Sequence, residues 1–363
     1  MNPGNQLILV TGCSGRIGTK VIERFKDSSY QLIGLDLVAP KTSTPANFAF
    51  IKMDVSSVDS IQTAMQQIKQ TYGDHIASVV HLAAYYNFTG GEWAKYEQIT
   101  VEGTKHLLQA VQNFSTEQFL FSSTMLIHEP QDPPKKINEN SPLVTDPWEY
   151  PRSKIETEAV ISKNHHEIPS VILRIAGCYD DECHSIPISN QIQRIYEKQF
   201  TSHVLPGDIS HGTSFLHLDD MAEVVWICVQ KRALLPKETV MLVGEEETLS
   251  YDQLQNQISQ LLYHEPLSTY RIPKIIAKVG AWMQDRLPFF PDSFIKPWMI
   301  DYADDNYVLD LTHIHQLLDW TPQKRLSSTL PIMIKDLKEN PLKWYQANDL
   351  KAPKWLKKKQ HDE

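Results

Sequence analysis

Residues 7 to 36 read LILVTGCSGRIGTKVIERFKDSSYQLIGLD, and the order of features in this stretch decides the fold. A short apolar run at residues 7 to 10 predicts a buried strand, residues 17 to 27 have a helical pattern, and a second apolar run ends at Asp36. The turn between the first strand and the helix contains three glycines, Gly12, Gly15 and Gly18. This order is typical of a dinucleotide-binding βαβ unit. We therefore expect an α/β protein with a Rossmann-type, doubly wound parallel sheet.

The glycines suit a bound dinucleotide, because they permit a tight turn, a close approach to the pyrophosphate and close packing of helix on strand. Arg16 and Ile17 open the helix, whose positive N-terminal end would face the pyrophosphate. Asp36 follows Gly18 by 18 residues. A carboxylate there accepts hydrogen bonds from the ribose and repels a 2′-phosphate, which favours NAD over NADP. Arg16 is the alternative contact for a 2′-phosphate, and an ordinary turn is the alternative for three glycines taken alone.

Composition and charge exclude several classes of protein. The chain of 363 residues is 41% hydrophobic, which suits one large domain or two closely joined ones. Its net charge of −9 argues against nonspecific binding to nucleic acid or anionic membranes, although the tail KWLKKK at residues 354 to 359 is locally basic. The start, MNPGNQ, lacks the features of a signal peptide, and no run approaches the roughly 18 apolar residues that span a bilayer. We predict a cytoplasmic protein without a transmembrane segment.

Four cysteines are scattered along the chain, at Cys13, Cys178, Cys183 and Cys228. This usage predicts free thiols in a reducing compartment. The stretch CYDDECH at residues 178 to 184 also contains Asp and His, which are zinc ligands in other proteins. It lacks C-x-x-C spacing and a second group of ligands, so we expect a polar loop and no metal.

Two further strand ends are predicted to border the cofactor. Residues 48 to 53 form a short strand that leads to Asp54 and Val55, beside the expected adenine. The sequence leaves two interpretations of Asp54 open, a hydrogen bond to the adenine amino group or a cap on the following helix at residues 57 to 70. Residues 77 to 84 predict a fourth strand that ends in small side chains, with room for a ring or a ribose. The contact residues predicted there are Leu82, Ala83 and Ala84.

The chemistry is predicted at the end of the fifth strand, residues 119 to 124, and in the motif YPRSK that begins at Tyr150. Pro151 suits the first position of a helix, which puts Lys154 one turn beyond Tyr150 on the same face. A free phenol has a pKa of about 10, and a nearby ammonium together with a positive nicotinamide ring lowers that pKa. Tyr150 is therefore the predicted acid/base, and Thr124 hydrogen-bonds the same substrate oxygen while hydride passes to NAD. Taken alone, a Tyr-x-x-x-Lys pair is more often an exposed pair on a helix.

These motifs resemble those of the extended short-chain dehydrogenases/reductases, in the group of NAD-dependent epimerases and dehydratases. The matching segments span nearly the whole chain and read TGCSGRIG, HLAA, VEGTKHLL, SST, YPRSK, VILRIAGCYD, FLHLDDMAEVV and LLDWTP. The resemblance implies an NAD-binding Rossmann domain at residues 1–176, to which residues 214–237 and 308–320 return. It also implies a smaller substrate-binding part at 177–213 and 238–307, followed by a C-terminal helical tail at 321–363.

The resemblance further implies a homodimer, because such enzymes often pair through two helices that correspond here to about residues 92–113 and 149–164. One departure from the family pattern narrows the activity. Met125 and Leu126 follow Thr124 where sugar-nucleotide 4,6-dehydratases of the family place Asp and Glu. Neither side chain can exchange a proton, so that reaction is not expected.

Three other positions also differ from the family pattern. Gly177 and Thr213 stand where many sugar-nucleotide enzymes of the family have Asn and Arg, which weakens the grip on a nucleotide diphosphate. Thr100 stands where a helix Asn is usual, which alters a detail of the proton path.

Residues 271–300 combine an apolar stripe at helical spacing with a loop that holds three phenylalanines and a tryptophan. The stripe consists of Ile275, Val279, Trp282 and Met283. Such a stripe is typical of core or dimer contacts, and the alternatives are a lid over an apolar substrate or a shallow contact with a membrane. Earlier in the chain, three polar residues that begin a helix are predicted to cap it and to form hydrogen bonds. They are His217, Asp219 and Asp220.

The sequence thus predicts an NAD-dependent oxidoreductase or epimerase that transfers hydride between NAD and a secondary alcohol or ketone. A sugar nucleotide is the substrate that the resemblance implies first. The alternative substrate is a bulky apolar alcohol of the sterol or isoprenoid kind, which Gly177, Thr213 and the aromatic stretch favour. An alternative of another class is a non-catalytic subunit that binds NAD(H) without turnover.

Overall fold

A central sheet of parallel strands organises the chain. The structure, a computed structural model, describes residues 6–87, 90–286 and 296–357. Its strands are, in chain order, β1 Leu7–Thr11, β2 Gln31–Asp36, β3 Phe48–Lys52, β4 His75–His81, β5 Ser115–Thr116, β6 Phe119–Thr124, β7 Ser170–Ile175, β8 Gly177–Tyr179, β9 Val204–Pro206, β10 Phe215–His217, β11 Glu238–Val243 and β12 Tyr270–Ile272.

Helices connect these strands and cover the sheet. The α-helices are α1 Arg16–Arg24, α2 Val58–Tyr72, α3 Trp93–Lys95, α4 Gly103–Val111, α5 Glu149–Asn164, α6 Ile186–Tyr196, α7 Leu218–Gln230, α8 Tyr251–Tyr263, α9 Lys274–Arg286, α10 Thr312–Leu318, α11 Leu326–Glu339 and α12 Pro341–Ala347. A π-helical segment, Tyr96–Glu102, joins α3 to α4. Short 3-10 turns are found at Met125–Ile127, Phe200–His203 and Pro297–Tyr302.

The strand order of the central sheet is β11-β7-β6-β4-β1-β2-β3, with β5 beside β4, and its pairs are parallel. The chain moves from β1 outward through β2 and β3, then returns to place β4 on the other side of β1. The carboxyl ends of β1 and β4 therefore lie at a topological switch point, where such sheets bind ligands. The predicted Rossmann-type, doubly wound sheet is confirmed.

Two buried apolar clusters hold the helices on the two faces of the sheet. Side chains alternate along β1, so Ile8 and Val10 join the cluster under α1 and α7, while Leu7 and Leu9 join the cluster under α2, α4 and α5. Each of these four side chains is fully buried. Such burial contributes about 1.5–3 kcal/mol per side chain. The apolar run that predicted β1 thus serves both faces.

A third apolar cluster lies beside the sheet, between α6, α8, α11 and α12. The predicted tail at residues 321–363 therefore contributes two packed helices to this cluster. The division into two domains stays a prediction, with one correction. Glu238–Val243 was predicted in the substrate-binding part, but it pairs in parallel with β7 as an edge strand of the central sheet. The run ETVMLV has the apolar character of a sheet strand, and the pairing buries most of it.

Several predicted boundaries were wrong by a few residues. The first helix ends at Arg24, and the fourth strand ends at His81 instead of continuing to residue 84. Beyond His81 the chain turns away because the backbone nitrogens of Leu82 and Ala83 donate to the Thr11 hydroxyl, at 3.2 and 3.1 Å. The predicted helix at residues 92–113 is broken into α3, the π-helical segment and α4.

The helix that carries YPRSK begins at Glu149, with Trp148 as its N-cap, so Pro151 occupies the third position and not the first. Proline is tolerated there because the first four backbone N–H groups of a helix have no partner within it. The prediction for the helix after β10 is confirmed. His217 caps α7 by accepting from the Asp219 nitrogen, and Asp220 accepts from two backbone nitrogens after α10.

The apolar stripe of residues 271–300 lies on α9 and faces outward. Ile275 is 77% exposed and Val279 53%, so the prediction of core contacts is wrong within this chain. The dimer, lid and membrane interpretations stay predictions. The three phenylalanines that follow, Phe289, Phe290 and Phe294, lie outside the described residues. No helix within the described ranges is long and apolar enough to cross a membrane.

Candidate active site

The glycine-rich turn lies against the end of β4. Gly12 has a φ of +68°, a conformation that L side chains rarely adopt, and a Cβ built on it would lie 2.8 Å from the Ala83 nitrogen. A Cβ on Gly18 would overlap the carbonyl oxygen of Gly12, and the Gly15 nitrogen donates to that same oxygen at 3.1 Å. The turn is therefore a backbone cradle with no room for side chains at Gly12 or Gly18. Such a cradle suits a pyrophosphate.

The start of α1 also suits a bound pyrophosphate. Gly15 caps this helix through its backbone, and the described first turn carries no acidic side chain of its own, so its backbone N–H groups can face an anion. Ile17 packs against the core under α1. Arg16 extends outward, and its guanidinium lies 3.7 Å from the exposed Asp349 carboxylate. An exposed pair of this kind is weak, so the Arg16 side chain can turn to another anion.

Asp36 ends β2 next to the turn. Its Oδ2 accepts from the Ser14 nitrogen at 3.0 Å, and its Oδ1 accepts from the Leu37 nitrogen at 2.7 Å. The carboxylate thus lies beside the cradle, where the sequence predicted a ribose contact. It also holds the turn in place, a role that the sequence pattern did not predict.

Asp54 and Val55 border the crevice at the end of β3. Asp54 Oδ1 accepts from the nitrogen and hydroxyl of Ser56, at 2.9 and 2.6 Å. The cap of α2 is Ser57, whose hydroxyl accepts from the Ser60 nitrogen, so the capping interpretation of Asp54 is wrong. The adenine contact stays a prediction. Val55 is buried, and a Cβ on Gly103 at the start of α4 would lie 2.9 Å from the Val55 carbonyl oxygen.

A buried polar chain supports the crevice below Leu82, Ala83 and Ala84. The Thr104 hydroxyl donates to the Thr100 carbonyl at 2.6 Å, so it must accept from His81 Nε2 at 2.9 Å. His81 Nδ1 then carries no proton and accepts from the Thr11 hydroxyl at 2.6 Å. Burial, together with the smaller effect of the Lys154 charge, lowers the pKa of His81 to about 3. His81 is therefore a neutral link between β1, β4 and α4, and no role was predicted for it.

The three predicted catalytic residues are brought together by α5 and β6. Thr124 lies close enough to Tyr150 to lower the pKa of its hydroxyl. Lys154 is 3% exposed, donates from Nζ to the Ser122 carbonyl at 2.7 Å and lies 6.0 Å from the Tyr150 ring centroid. Burial lowers the pKa of Lys154 to about 7, against the opposing charge of Glu158.

The electrostatics of Tyr150 differ from the prediction. Burial raises the pKa of Tyr150 above its usual range, and the hydrogen bond from Thr124 offsets this only in part. The sequence predicted a lowered pKa, with the positive nicotinamide as one of its two causes. In the chain by itself the phenol is protonated at neutral pH and can act as a proton donor.

Aromatic rings form a wall beside Tyr150. The Tyr86 ring meets the Tyr150 ring edge to face at 5.0 Å, and Trp148 lies 5.6 Å from Tyr150. Trp298, from the turn after α9, lies 5.3 Å from Trp148 and 6.1 Å from Tyr302. Tyr86, Trp148 and Tyr302 were not predicted in the site, and Trp298 was placed there only by the lid alternative for residues 271–300. The available signal was a tryptophan two residues before Tyr150 and another in the aromatic stretch.

Carboxylates border one end of the wall, at Tyr302. Burial raises the pKa of Tyr302, and four nearby carboxylates raise it further, those of Asp305, Asp301, Asp146 and Glu149. The lysines of α9 that face this region are paired, Lys274 with Asp304 and Lys278 with Asp301. A bound anion would meet these carboxylates.

The relationship to known proteins agrees with this geometry. The sequence profile of the NAD dependent epimerase/dehydratase family matches residues 8–244. The chain belongs to this family. Members are enzymes that use NAD, so the protein is an NAD-dependent enzyme of the epimerase/dehydratase type and its cofactor is NAD.

Three relatives illustrate the range of this epimerase/dehydratase family. An uncharacterized UDP-glucose epimerase of Bacillus subtilis is 24% identical over 255 residues, which are 66% of this chain and 77% of that protein. A decarboxylating sterol-4-alpha-carboxylate 3-dehydrogenase of Candida albicans is 27% identical over 199 residues, 49% of this chain and about half (52%) of that protein. The crystal structure of UDP-glucuronic acid 4-epimerase from Bacillus cereus, in complex with UDP-glucuronic acid and NAD, has a TM-score of 0.68 at 20% identity and covers 92% of this chain and 99% of that chain. At this identity the last likeness concerns the fold.

The Cys/Asp/His stretch of this epimerase/dehydratase begins close to the site, since Cys178 acts on the pKa of both Tyr150 and Tyr86. His184 Nδ1 pairs with Asp180 Oδ2 at 2.7 Å, and burial raises the pKa of Cys178 and Cys183 to about 12. The four cysteines are free thiols. Within the described ranges no group of three or more His, Cys, Asp or Glu side chains is placed to hold a metal ion.

Proposed function

We propose that the protein transfers hydride between NAD and a secondary alcohol or ketone, with Tyr150 as the acid/base. The observation that carries this proposal is the buried Lys154, 6.0 Å from the Tyr150 ring centroid and one turn along α5, with Thr124 close enough to Tyr150 to act on its pKa. Thr124 orients the substrate oxygen, and Tyr150 exchanges a proton with that oxygen. The ammonium group of Lys154 acts electrostatically on the Tyr150 hydroxyl from one turn further along α5. NAD supplies the hydride acceptor when it is bound.

The residues around the crevice fit NAD. The cradle at Gly12 and Gly18 leaves room for backbone contacts only, and the backbone N–H groups at the start of α1 favour a pyrophosphate. Asp36 would accept hydrogen bonds from the ribose, and Asp54 would accept one from the adenine amino group. The full set that would hold NAD is Gly12, Gly15, Arg16, Ile17, Gly18, Asp36, Asp54, Val55, Leu82, Ala83, Ala84, Tyr150 and Lys154.

A sugar nucleotide is the first candidate substrate, supported by the names of relatives such as the UDP-glucose epimerase of Bacillus subtilis. The second candidate is a bulky apolar alcohol, and the aromatic wall of Tyr86, Trp148 and Trp298 favours it. Flat apolar rings pack well on such a wall.

Ligand-induced stabilisation of the NAD-loaded protein separates the two candidates. UDP-, GDP- and dTDP-sugars are compared with a neutral steroid alcohol, each by the shift in melting temperature. If every nucleotide sugar leaves the melting temperature unchanged, the sugar-nucleotide candidate is wrong. If the steroid raises it in the parent protein and not in Trp148→Ala, the apolar candidate is supported.

Turnover and cofactor retention test the reaction itself. Tyr150→Phe is expected to lower kcat by about 10²–10⁴-fold with the substrate that binds, because the proton exchange is lost. Unchanged turnover in this variant would contradict the role of Tyr150 and leave the non-catalytic NAD-binding subunit as the better account. Native mass spectrometry of the purified protein then distinguishes an epimerase, which retains its NAD, from a dehydrogenase, which exchanges it.

The homodimer is part of this proposal. The pairing helices would be α4, with the π-helical segment before it, and α5, which pack side by side on one face of the sheet. Light scattering of the protein during size-exclusion chromatography measures the mass directly. A mass of one chain at micromolar concentration would contradict the dimer.

A further inference from the structure

Tyr150 and Thr124 come from different elements, and two side chains of α5 tie those elements together. Lys154 Nζ donates to the Ser122 carbonyl at 2.7 Å, and the Ser123 hydroxyl donates to Glu158 Oε1 at 2.5 Å. Tyr150, Lys154 and Glu158 are spaced by four residues, so they lie on one face of the helix. Successive residues of β6 just before Thr124 are thus held by successive turns of α5.

Glu158 is held in turn by Arg174 of β7. The Arg174 Nη2 lies 2.7 Å from Glu158 Oε2, and its Nε lies 3.2 Å from Oε1. Both side chains are about one-tenth exposed, at 10% and 11%. Ser123 and Arg174 are directly paired between β6 and β7, so they reach Glu158 from neighbouring positions of the sheet. The carboxylate therefore receives bonds from two strands at once.

Arg174 also fixes the segment that leads from Thr124 to Tyr150. Its Nη1 donates to the Glu139 carbonyl at 2.9 Å and to His128 Nε2 at 3.1 Å. His128 Nδ1 must carry the proton, because it donates to the Ser141 carbonyl at 3.0 Å. Burial and the Arg174 charge lower the pKa of His128, so the ring stays neutral as an acceptor. One ion pair thus braces β6, β7, α5 and the connecting segment.

A buried ion pair is weak support for stability by itself, because the cost of removing both charges from water offsets their attraction. The position of the Glu158–Arg174 pair, between β6, β7 and α5, supports a role in the reaction. This inference rests on the proposed function of Tyr150. We propose that Glu158, held by Arg174, is a positioning residue that keeps α5 in register with β6 and the Tyr150 hydroxyl on Thr124. The removal of its charge also changes the electrostatics of Lys154, since that charge favours the ammonium.

The test compares Glu158→Gln with Glu156→Gln. Gln keeps an acceptor for Ser123 and Arg174 but loses the charge, and Glu156 is a matched control on the same helix because its pair with Arg152 is exposed. We expect Glu158→Gln to lower kcat by about tenfold or more with KM changed less than about threefold, because a small displacement of reacting groups is costly. The control is expected to match the parent protein.

A second readout does not depend on turnover. Lysine side chains labelled with ¹³C are titrated by NMR in the protein without substrate, and the Lys154 signal is assigned by its loss in Lys154→Met. We expect the Lys154 midpoint to fall in Glu158→Gln and to stay unchanged in Glu156→Gln. If the Glu158–Arg174 pair served only stability, Glu158→Gln would lower the melting temperature of the protein without shifting the Lys154 midpoint and without lowering kcat.

Should Glu158→Gln fail to fold, Ser123→Ala decides. This variant keeps the Glu158–Arg174 pair and removes the hydroxyl that joins Glu158 to β6. A lower kcat supports the proposal, and unchanged kcat and KM in a folded Ser123→Ala or Glu158→Gln protein overturn it. Failure of the proposed function is distinguishable, since in that case Tyr150→Phe retains turnover as well.

Discussion

Gly12 and Ala83 meet backbone to backbone, since a Cβ built on Gly12 would lie 2.8 Å from the Ala83 nitrogen. This contact joins the glycine-rich turn after β1 to the end of β4, the two strands that flank the switch point of the sheet. A side chain at Gly12 would push these segments apart. The cradle for the cofactor therefore depends on the absence of a single methyl group.

Gly12→Ala is expected to lower NAD affinity by at least about tenfold, because the methyl group must displace backbone and not a mobile side chain. The positive φ adds strain of about 1–2 kcal/mol to the folded state. Gly73→Ala is the matched control, since Gly73 also has a positive φ, +95°, but nothing lies within 4 Å of a Cβ there. Calorimetric titration with NAD should show the loss for Gly12→Ala alone. Equal NAD affinity in both variants would contradict the cradle.

Asp36 is expected to set the preference for NAD over NADP. Asp36→Asn keeps an acceptor for the Ser14 nitrogen but removes the charge that repels a 2′-phosphate. The ratio of NADP to NAD dissociation constants should fall by about tenfold or more. Asp54→Asn is the control, because an adenine contact is common to both cofactors and should leave the ratio unchanged. An unaltered ratio in Asp36→Asn would assign the preference to another residue.

The part of the fold that sequence predicts best is the part built from local contacts. The turn at Gly12, the helix after it and the carboxylate of Asp36 lie within 30 consecutive residues, residues 7 to 36, and their periodicity identifies them. The motif spacing likewise predicted that Thr124, Tyr150 and Lys154 would meet. A strand end and a helix start that face the same crevice require no knowledge of distant segments once the sheet is known.

The features that were missed depend on partners far along the chain. β11 joins the sheet through β7, and Trp298 reaches Trp148 across 150 residues. No local pattern encodes either pairing. His81 lay inside an apolar strand without an evident role, because its meaning comes from Thr11 and Thr104 on other elements. The sequence also left the N-cap of α2 ambiguous. Asp54 was one candidate, but Ser57 occupies that position.

Lys154 is expected to lower the free energy of unfolding of the protein, although it takes part in the proposed reaction. Its pKa is lowered from 10.5 to about 7 by burial, so the folded state binds fewer protons than the unfolded state between these values. The penalty is complete below pH 7 and disappears as the pH rises toward 10.5. Lys154→Met should therefore be more stable than the parent protein by about 1–3 kcal/mol near pH 6, with the difference fading toward alkaline pH.

Chemical denaturation across this pH range measures the effect, with Lys163→Met as a control because Lys163 is exposed on the same helix. Turnover of Lys154→Met should fall by about 10²-fold or more. A stability difference that does not vary with pH would show that the ammonium is not strained by burial.

Glu245 is expected to make stability fall as pH rises. This residue is 1% exposed, its Oε2 accepts from the Leu326 nitrogen at the start of α11 at 2.8 Å, and burial raises its pKa from 4.5 to about 7, with smaller contributions from Asp220 and Glu247. The folded state therefore binds more protons than the unfolded state between these values, and stability decreases through that window. Glu245→Gln keeps an acceptor for Leu326 and removes the charge.

We expect Glu245→Gln to match the parent protein near pH 4.5 and to exceed its stability by up to about 3 kcal/mol above pH 7. Urea denaturation monitored by circular dichroism at each pH gives the free energy of unfolding. Glu265→Gln is the control, because Glu265 is exposed and its replacement should not change the pH dependence. A flat difference between Glu245→Gln and the parent protein across the window would mean that Glu245 is ionised normally, with the positive end of α11 stabilising its charge.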